Sequence, residues 1–159
     1  MKILRLILVV MMIGQLAACG SLSDKTKILP TQLTYSIVAQ MDLNPNSNGD
    51  STPVEFQLFE LKDDSKLLAA DYDSLVSSFQ EALGSNYISH SDITILPGQF
   101  KFIEPFEVHA GTRYIGVMAH FGDPEVSQWK RVIKIKAIGK EYHILILFKE
   151  QEVLLDKVE

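Results

Sequence analysis

Apolar residues recur at every second position along much of this chain. The first two runs are Leu33, Tyr35, Ile37, Ala39 and Met41, followed by Val54, Phe56 and Leu58. Alternation with a period of two is typical of a β-strand that buries one face. Further strand segments lie at 93–96, 99–108, 112–121, 129–138, 142–148 and 153–155. Seven or eight short strands at this spacing predict an all-β protein built as a two-sheet β-sandwich.

One segment departs from this period and predicts a single short helix after the second strand. Between Tyr72 and Leu83, one helical face carries the apolar residues Leu75, Val76, Phe79, Ala82 and Leu83. Asp71 or Asp73 can cap the start of this helix, and Gly84 stands where a left-handed residue ends many helices. We expect the apolar face to pack on the core. The preceding Lys62–Lys66 stretch predicts a turn.

Other features predict where individual strands lie. The segment 112–121 is apolar on both faces, so we expect a central strand. Pro105 marks its own strand as an edge strand or as the site of a bulge. Lys130, Lys134 and Lys136 share one face of the segment 129–138, and we expect that face to be solvated.

A long polar loop, Leu43–Thr52, separates the first two strands. It is dense in Asn, Pro, Gly, Asp and Ser, each of which favours turns for its own backbone reason. Its length exceeds the two to five residues that are usual in a β-hairpin. On a β scaffold, such a loop is either a mobile tip or a binding loop, and the residues alone leave both interpretations open.

The beginning of the chain predicts an exported protein. Lys2 and Arg5 precede the apolar run 6–13, and small residues then lead to Cys19, the one cysteine of the chain. This is the order of a secretory signal peptide, and the run is shorter than the roughly 20 residues that span a bilayer. An ordinary signal peptidase prefers small residues at positions −1 and −3, whereas Leu16 would stand at −3.

The stretch Leu16-Ala17-Ala18-Cys19 instead resembles the lipobox of bacterial lipoproteins. The resemblance implies that the Cys19 thiol is diacylated, that residues 1–18 are removed, and that the new amino group receives a third acyl chain such as palmitate. Gly20 and Ser21 lack the aspartate that resembles an inner-membrane retention signal, which implies anchoring in the outer membrane. The sequence does not encode the leaflet, and we expect the domain to face the periplasm. We therefore predict a signal peptide at 1–18, the lipidated cysteine and a flexible tether at 19–31, and a β-sandwich domain at 32–159.

The net charge of the mature chain argues against some classes of binding partner. Removal of Lys2 and Arg5 with the leader leaves 13 basic against 20 acidic residues, a net charge of −7. This acidic balance argues against nucleic-acid binding, which needs a basic face. It also argues against electrostatic adhesion to anionic lipid head groups. With Cys19 acylated, no disulfide can form within the chain.

No recognisable catalytic or metal-binding constellation appears. The four histidines, His90, His109, His120 and His143, lack both the spacing of a zinc-binding helix and a second cysteine to join them. We expect each to be a hydrogen-bonded or surface histidine. The Gly-x-Ser-x-Gly, Walker and Gly-x-Gly-x-x-Gly motifs are missing from the sequence. We expect neither a cofactor nor an enzyme.

Several short motifs, taken in order, carry a family resemblance. They are Val54-Glu55-Phe56-Gln57-Leu58, Leu83-Gly84, Leu96-Pro97-Gly98, the strand Tyr114–Phe121, Asp123 and Trp129-Lys130-Arg131-Val132. Together with the lipobox, this order resembles TssJ, the outer-membrane lipoprotein family of type VI secretion, over roughly residues 31–155. Two positions depart from the family pattern, since Gly122 and Lys130 stand where arginine is commoner.

The resemblance implies a transthyretin-like sandwich with one added helix, and a role that is not enzymatic. It implies binding to the periplasmic C-terminal domain of TssM, an inner-membrane protein, with TssL completing the membrane complex. The family loop implicated in TssM binding matches Leu43–Thr52, which favours a binding loop there. The partner-binding residues implied are Asn44, Pro45, Asn46, Ser47, Asn48, Gly49 and Asp50.

Two other classes of protein stay open at the level of sequence. One is an unrelated outer-membrane β-sandwich lipoprotein that binds a small ligand or an envelope component, which would need an enclosed pocket of a few hundred Å³. The other is a periplasmic hydrolase, which would need a cleft where titratable groups converge. An adaptor protein would instead show a complementary surface near one set of loops.

Overall fold

The computed structural model describes residues 29–158 of the chain. The predicted signal peptide, Cys19 and most of the predicted tether lie outside the described residues. In chain order, the strands are β1 (Gln32–Ala39), β2 (Val54–Leu61), β3 (Tyr87–Ile95), β4 (Phe100–Glu107), β5 (Tyr114–His120), β6 (Lys130–Lys134), β7 (Glu141–Lys149) and β8 (Glu152–Val158).

These strands form two four-stranded sheets, which confirms the predicted β-sandwich. Sheet 1 has the order β4-β1-β7-β8 and sheet 2 the order β3-β2-β5-β6. All neighbouring strands are antiparallel except β1 and β7, which are parallel. The predicted central strand is β5, between β2 and β6. The Pro105 prediction is also confirmed, because β4 is an edge strand and its register against β1 shifts opposite Leu33–Tyr35.

The inward faces of the two sheets form one apolar core. Alternate residues of β1 are fully buried, as the sequence pattern predicts. The largest buried side chains include Tyr35, Phe56 and Phe148, and the rings of Phe56 and Phe148 lie 4.7 Å apart between their centroids. Burial of such rings, at about 25 cal/mol per Å² of apolar surface, stabilises the sandwich without a disulfide.

Two helices cover the outer face of sheet 2. They are α1 (Ser65–Ala69) and α2 (Tyr72–Leu83), and their buried side chains form a second core with strand residues: Phe59, Leu61, Leu67, Leu75, Leu83 and Met118. The predicted helix is confirmed as α2, with the Asp71 carboxylate accepting a hydrogen bond from the Ser74 N–H at 2.8 Å. Gly84 follows it with a φ of +47°. Val76 does not pack on the core as expected, because it is 51% exposed.

Helix α1 was not expected, since the sequence predicted only a turn at Lys62–Lys66. It is a five-residue helix held by tertiary contacts. Leu67 is fully buried, and Lys130 Nζ donates to the carbonyls of Leu67, Leu68 and Ala70 at 3.1, 2.7 and 2.7 Å. The prediction of a solvated lysine face was therefore wrong for Lys130, which satisfies the free carbonyls at the end of α1.

The connections divide between two opposite ends of the sandwich. We call one end the loop pole; it comprises residues 40–53, 96–99, 121–129 and 149–151. The other end, the tether pole, comprises residues 29–32, 62–64, 84–86, 107–113, 134–141 and 157–158, and the chain enters β1 there. Among residues 29–158, no helix has the length and apolar character needed to cross a membrane.

Candidate functional site

Asn44 joins three connections of the loop pole. Its Oδ1 accepts the Gly122 N–H at 2.8 Å, and its Nδ2 donates to Thr52 Oγ1 at 2.7 Å and to the Pro53 carbonyl at 3.2 Å. Its own N–H donates to the Glu150 carbonyl at 2.6 Å. The residue is 8% exposed and has a φ of +47°, a conformation that asparagine tolerates better than most residues. The loop is therefore fixed at its base.

The tip of the same loop, residues 46–50, is exposed but internally bonded. The side-chain oxygen of Asn46 accepts the N–H groups of Asn48 and Asp50 at 2.9 and 3.0 Å. The Asn46 N–H donates to the Asp50 carbonyl at 2.9 Å, and Gly49 supplies the left-handed position of the turn with a φ of +85°. A tip that is already ordered loses less conformational entropy when a partner binds it.

Exposed apolar side chains lie at the same pole. Met41 is 75% exposed, Leu96 is 49% exposed and Val126 is 64% exposed. Met41 lies directly over Gly98, where a Cβ would have no room. Large exposed apolar residues at one end of a domain are typical of a surface that a partner covers.

The charge of the loop pole is strongly negative. Its exposed acidic residues are Asp42, Asp50, Asp123, Glu125 and Glu150, against Lys149 as its one basic residue. Such a surface complements a basic partner and raises the rate of encounter with it.

The structure separates the predicted partner-binding residues by exposure. Asn46, Ser47, Asn48, Gly49 and Asp50 form the exposed tip, Pro45 is half-buried, and Asn44 lies inside. Asn44 thus positions the loop, and its side chain is not available for contact. Sequence reasoning missed the apolar residues beside the tip. Met41 and Val126 looked like ordinary strand and loop residues, and only the fold shows that they share one end.

The histidines are bonded within the domain, as expected. His109 Nδ1 lies 3.1 Å from Glu60, and His143 lies between the hydroxyls of Thr34 and Ser36. The remaining two, His90 and His120, contact the hydroxyls of Tyr87 and Tyr72 at 2.8 and 3.3 Å. Within the described part of the chain, no group of three or more His, Cys, Asp or Glu residues could hold a metal ion.

One apolar cleft of about 420 Å³ opens between the edge strands β3 and β4. Its lining residues are Tyr35, Leu58, Ser91, Ile93, Ile103, Glu104 and Phe106. Burial and the charge of Glu60 raise the pKa of Tyr35, so its hydroxyl stays neutral. The Lys101 ammonium of β4 donates to the Thr94 carbonyl of β3 at 2.5 Å and so links the same two strands. The cleft is open along the strand edges, unlike the enclosed pocket expected of a dedicated ligand binder.

Two four-stranded sheets with an acidic, hydrogen-bonded loop surface at one end define a small β-sandwich domain. The chain belongs to the type VI secretion lipoprotein family: the family model described as "Type VI secretion lipoprotein, VasD, EvfM, TssJ, VC_A0113" matches residues 31–151. The resemblance drawn from the sequence motifs is thereby confirmed. A search of curated proteins finds no match.

Solved structures of type VI secretion components share the fold. The lipoprotein TssJ1 from Pseudomonas aeruginosa is 25% identical with a TM-score of 0.77, covering 82% of this chain and 98% of that one. Serratia marcescens Lip, described as a membrane-bound component of the system, is 19% identical with a TM-score of 0.68, covering 80% and 97%. A chain of a structure described as the TssM C-terminal domain (869–1107) from EAEC is 21% identical with a TM-score of 0.68, covering 82% and 100%.

Proposed function

We propose that this lipoprotein is anchored in the outer membrane and binds the periplasmic domain of a TssM-like inner-membrane protein, so that it couples the two membranes within the type VI secretion complex. The observation that carries the proposal is the family match over residues 31–151, which covers strands β1 to β7 and the whole loop pole. The fold shared with a chain of the TssM C-terminal domain structure is in keeping with a place in that complex. The role is structural and not enzymatic.

The partner contact is assigned to the tip at 46–50 and to the exposed apolar residues beside it. The bonds of Asn44 hold the base of the loop, and those of Asn46 hold the tip, so the surface is formed before the partner arrives. Met41 and Val126 supply apolar area. The acidic residues of the loop pole favour a partner surface that is basic.

The membrane anchor is assigned to Cys19 after removal of residues 1–18. Two or more lipid signals are needed for stable anchoring, because one myristoyl chain gives an association constant of only about 10⁴ M⁻¹. Three acyl chains on Cys19 would therefore hold the chain permanently. Gly20 and Ser21 favour the outer membrane, and residues 32–159 act as the periplasmic domain. The tether predicted at 19–31 is shortened at its end, because Leu29 and Thr31 are hydrogen-bonded to the domain.

The loop contact is tested by a bulky substitution that spares the bonds of the loop. Ser47→Arg combined with Asn48→Arg changes two exposed side chains at the tip, and the structure gives neither side chain a hydrogen bond. We expect capture of the TssM-like periplasmic domain to weaken at least tenfold, because two large side chains prevent close approach and hot spots lie near the centre of an interface. Binding is measured by biolayer interferometry with purified domains.

The matched control is Ser77→Arg combined with Gln80→Arg, two exposed positions on α2. This control adds the same charge and bulk on a different face and should bind as the unmodified protein does. Equal binding by the tip variant and the unmodified protein would contradict the loop assignment. Loss of binding in both variants would point to a non-specific charge effect.

A further inference from the structure

The tether pole is firmly tied to the segment that leads to the lipid anchor. The Thr31 N–H donates to the Ala137 carbonyl at 2.9 Å, and the Gly139 N–H donates to the Leu29 carbonyl at 2.9 Å. Thr31 Oγ1 also donates to the Lys136 carbonyl at 2.6 Å. The chain on its way from Cys19 is therefore clamped against residues 136–140 before β1 begins.

This end of the sandwich exposes three aliphatic side chains, Leu29, Ile138 and Val158. Leu29 is 58% exposed and Ile138 is 51% exposed, and Ile138 forms an isolated β-bridge with Pro30. Ile138 stands at the tip of a turn in which Gly139 has a φ of +69°, and Lys136 and Lys140 flank it. An aliphatic tip between two lysines is the pattern of segments that lie at a membrane interface.

The charges of the two poles are opposite in sign. The tether pole carries six basic side chains, namely Lys62, Arg113, Lys134, Lys136, Lys140 and Lys157, against the four carboxylates of Asp63, Asp64, Glu107 and Glu141. The loop pole has the reverse balance. The net negative charge of the whole chain therefore conceals a basic end, and it is the end nearest to the anchor.

We propose that the tether pole lies directly on the phospholipid surface, with Leu29 and Ile138 in the interface and the surrounding basic residues at lipid phosphates. The proposal rests on the lipid anchor of the proposed function and adds an orientation to it. The loop pole then points away from the membrane, toward the partner.

The tether alone would not produce this orientation. Cys19 lies ten residues before Leu29, so the intervening chain spans at most about 35 Å and would let the domain stand clear of the bilayer or turn any side to it. The exposed aliphatic side chains and the basic residues supply the preference for one side. Each lysine near an anionic surface increases the partition onto it by about fivefold.

Single-cysteine fluorescence tests the orientation in the acylated full-length mature protein. Acylation leaves Cys19 without a free thiol, so Ile138→Cys and Asn48→Cys each offer one labelling site, at the tether pole and at the loop pole. The labelled proteins are reconstituted in vesicles of phosphatidylethanolamine and phosphatidylglycerol that contain a head-group quencher. We expect blue-shifted emission and severalfold stronger quenching at position 138 than at position 48.

Charge reversal provides the second measurement. Lys136→Glu combined with Lys140→Glu should abolish the excess quenching at position 138, whereas Ser77→Glu combined with Gln80→Glu, which adds acidic residues on α2, should leave it unchanged. Protein that floats with the vesicles but shows equal quenching at both positions would overturn the docking proposal and leave the anchor intact. Protein that fails to float would overturn the anchor, and the docking proposal with it.

Discussion

Asn44 shows how one buried amide can organise an exposed surface. We predict that Asn44→Ala lowers the free energy of unfolding by about 2 to 4 kcal/mol, because the Gly122 N–H loses its acceptor and because alanine is disfavoured at a positive φ. Asn48→Ala is the matched control at an exposed tip position and should change stability by less than about 0.5 kcal/mol. Urea unfolding measures both variants. Equal stability of the two variants would contradict a positioning role for Asn44.

His120 gives the domain a predictable response to acid. Burial lowers the pKa of His120 below its ordinary value of 6.5, partly offset by the charges of Glu55 and Asp92. Its Nε2 lies 2.7 Å from Gln57 Oε1, and its Nδ1 lies 3.3 Å from the Tyr72 hydroxyl. In the neutral histidine, Nε2–H donates to Gln57 and Nδ1 can accept from the Tyr72 hydroxyl. Protonation adds a hydrogen to Nδ1, so the hydroxyl would have to accept a hydrogen bond instead of donating one.

We therefore predict that stability falls as the pH drops below about 6.5 toward the lower pKa of the folded state, because the unfolded chain binds the proton more readily in that range. His120→Gln removes this titration. The difference in stability between the variant and the unmodified protein should change between pH 7.5 and pH 5, as followed by urea midpoints. A difference that stays constant over this range would show that His120 does not contribute to the acid response.

For single residues, the sequence predicted the general environment of a side chain better than it predicted which distant residues that side chain contacts. The histidines were correctly expected to be hydrogen-bonded, because four scattered histidines without a cysteine rarely form a site. Lys130 was wrongly assigned to a solvated face, because the pattern shows only which side of the strand a lysine occupies. Its actual environment depends on α1, sixty residues earlier in the chain, and burial there lowers the pKa of Lys130. Contacts between such distant residues leave no local signal.

At the scale of elements, α1 rests on β5 at a position where only glycine fits. A Cβ added to Gly116 would lie 2.5 Å from Leu67 Cδ2 and 3.1 Å from Leu61 Cδ1. Both leucines are fully buried, so neither can move aside freely. We predict that Gly116→Ala destabilises the domain by about 1 to 3 kcal/mol through overpacking, measured by thermal or urea unfolding.

A double-mutant cycle distinguishes overpacking from a general effect on β5. Leu67→Ala alone should cost about 2 to 5 kcal/mol through the cavity that it leaves. In the combined variant the new methyl group fills part of this cavity. The double variant should therefore lose less stability than the sum of the losses in the two single variants. Strict additivity would mean that Gly116 and Leu67 are not in contact.

The two helices also show what periodicity can and cannot predict. Helix α2 has twelve residues, an acidic cap and a glycine stop, so its pattern is visible in the sequence. Helix α1 has five residues and cannot show a full helical repeat. It forms because Leu67 enters the gap above Gly116 and Lys130 binds its free carbonyls, and both interactions require the folded sheet.

At the scale of the whole molecule, charge and apolar exposure are arranged along one axis. Composition gives a net charge of −5 for the full sequence, which differs from the overall basic character of nucleic-acid binders. It cannot show that acidic residues collect at the loop pole and basic residues at the tether pole. That segregation follows from strand order, because β1, β3, β5 and β7 all start at the tether pole. The candidate loop was found from sequence, but its apolar neighbours required the fold.

The placement of the anchor and the partner surface at opposite poles leads to a prediction about coupling between the two membranes. A chain in which Cys19→Ser is combined with a conventional cleavable signal peptide should be exported, fold and bind the TssM-like domain with unchanged affinity, because residues 29–158 form the sandwich without the lipid. It should nevertheless fail to support type VI secretion, because the bond to the outer membrane is missing. Affinity is measured with purified proteins, and secretion by release of a secreted substrate. Intact secretion without the acyl chains would disprove the coupling role, whereas lost affinity would mean that the lipid contributes to the partner surface itself.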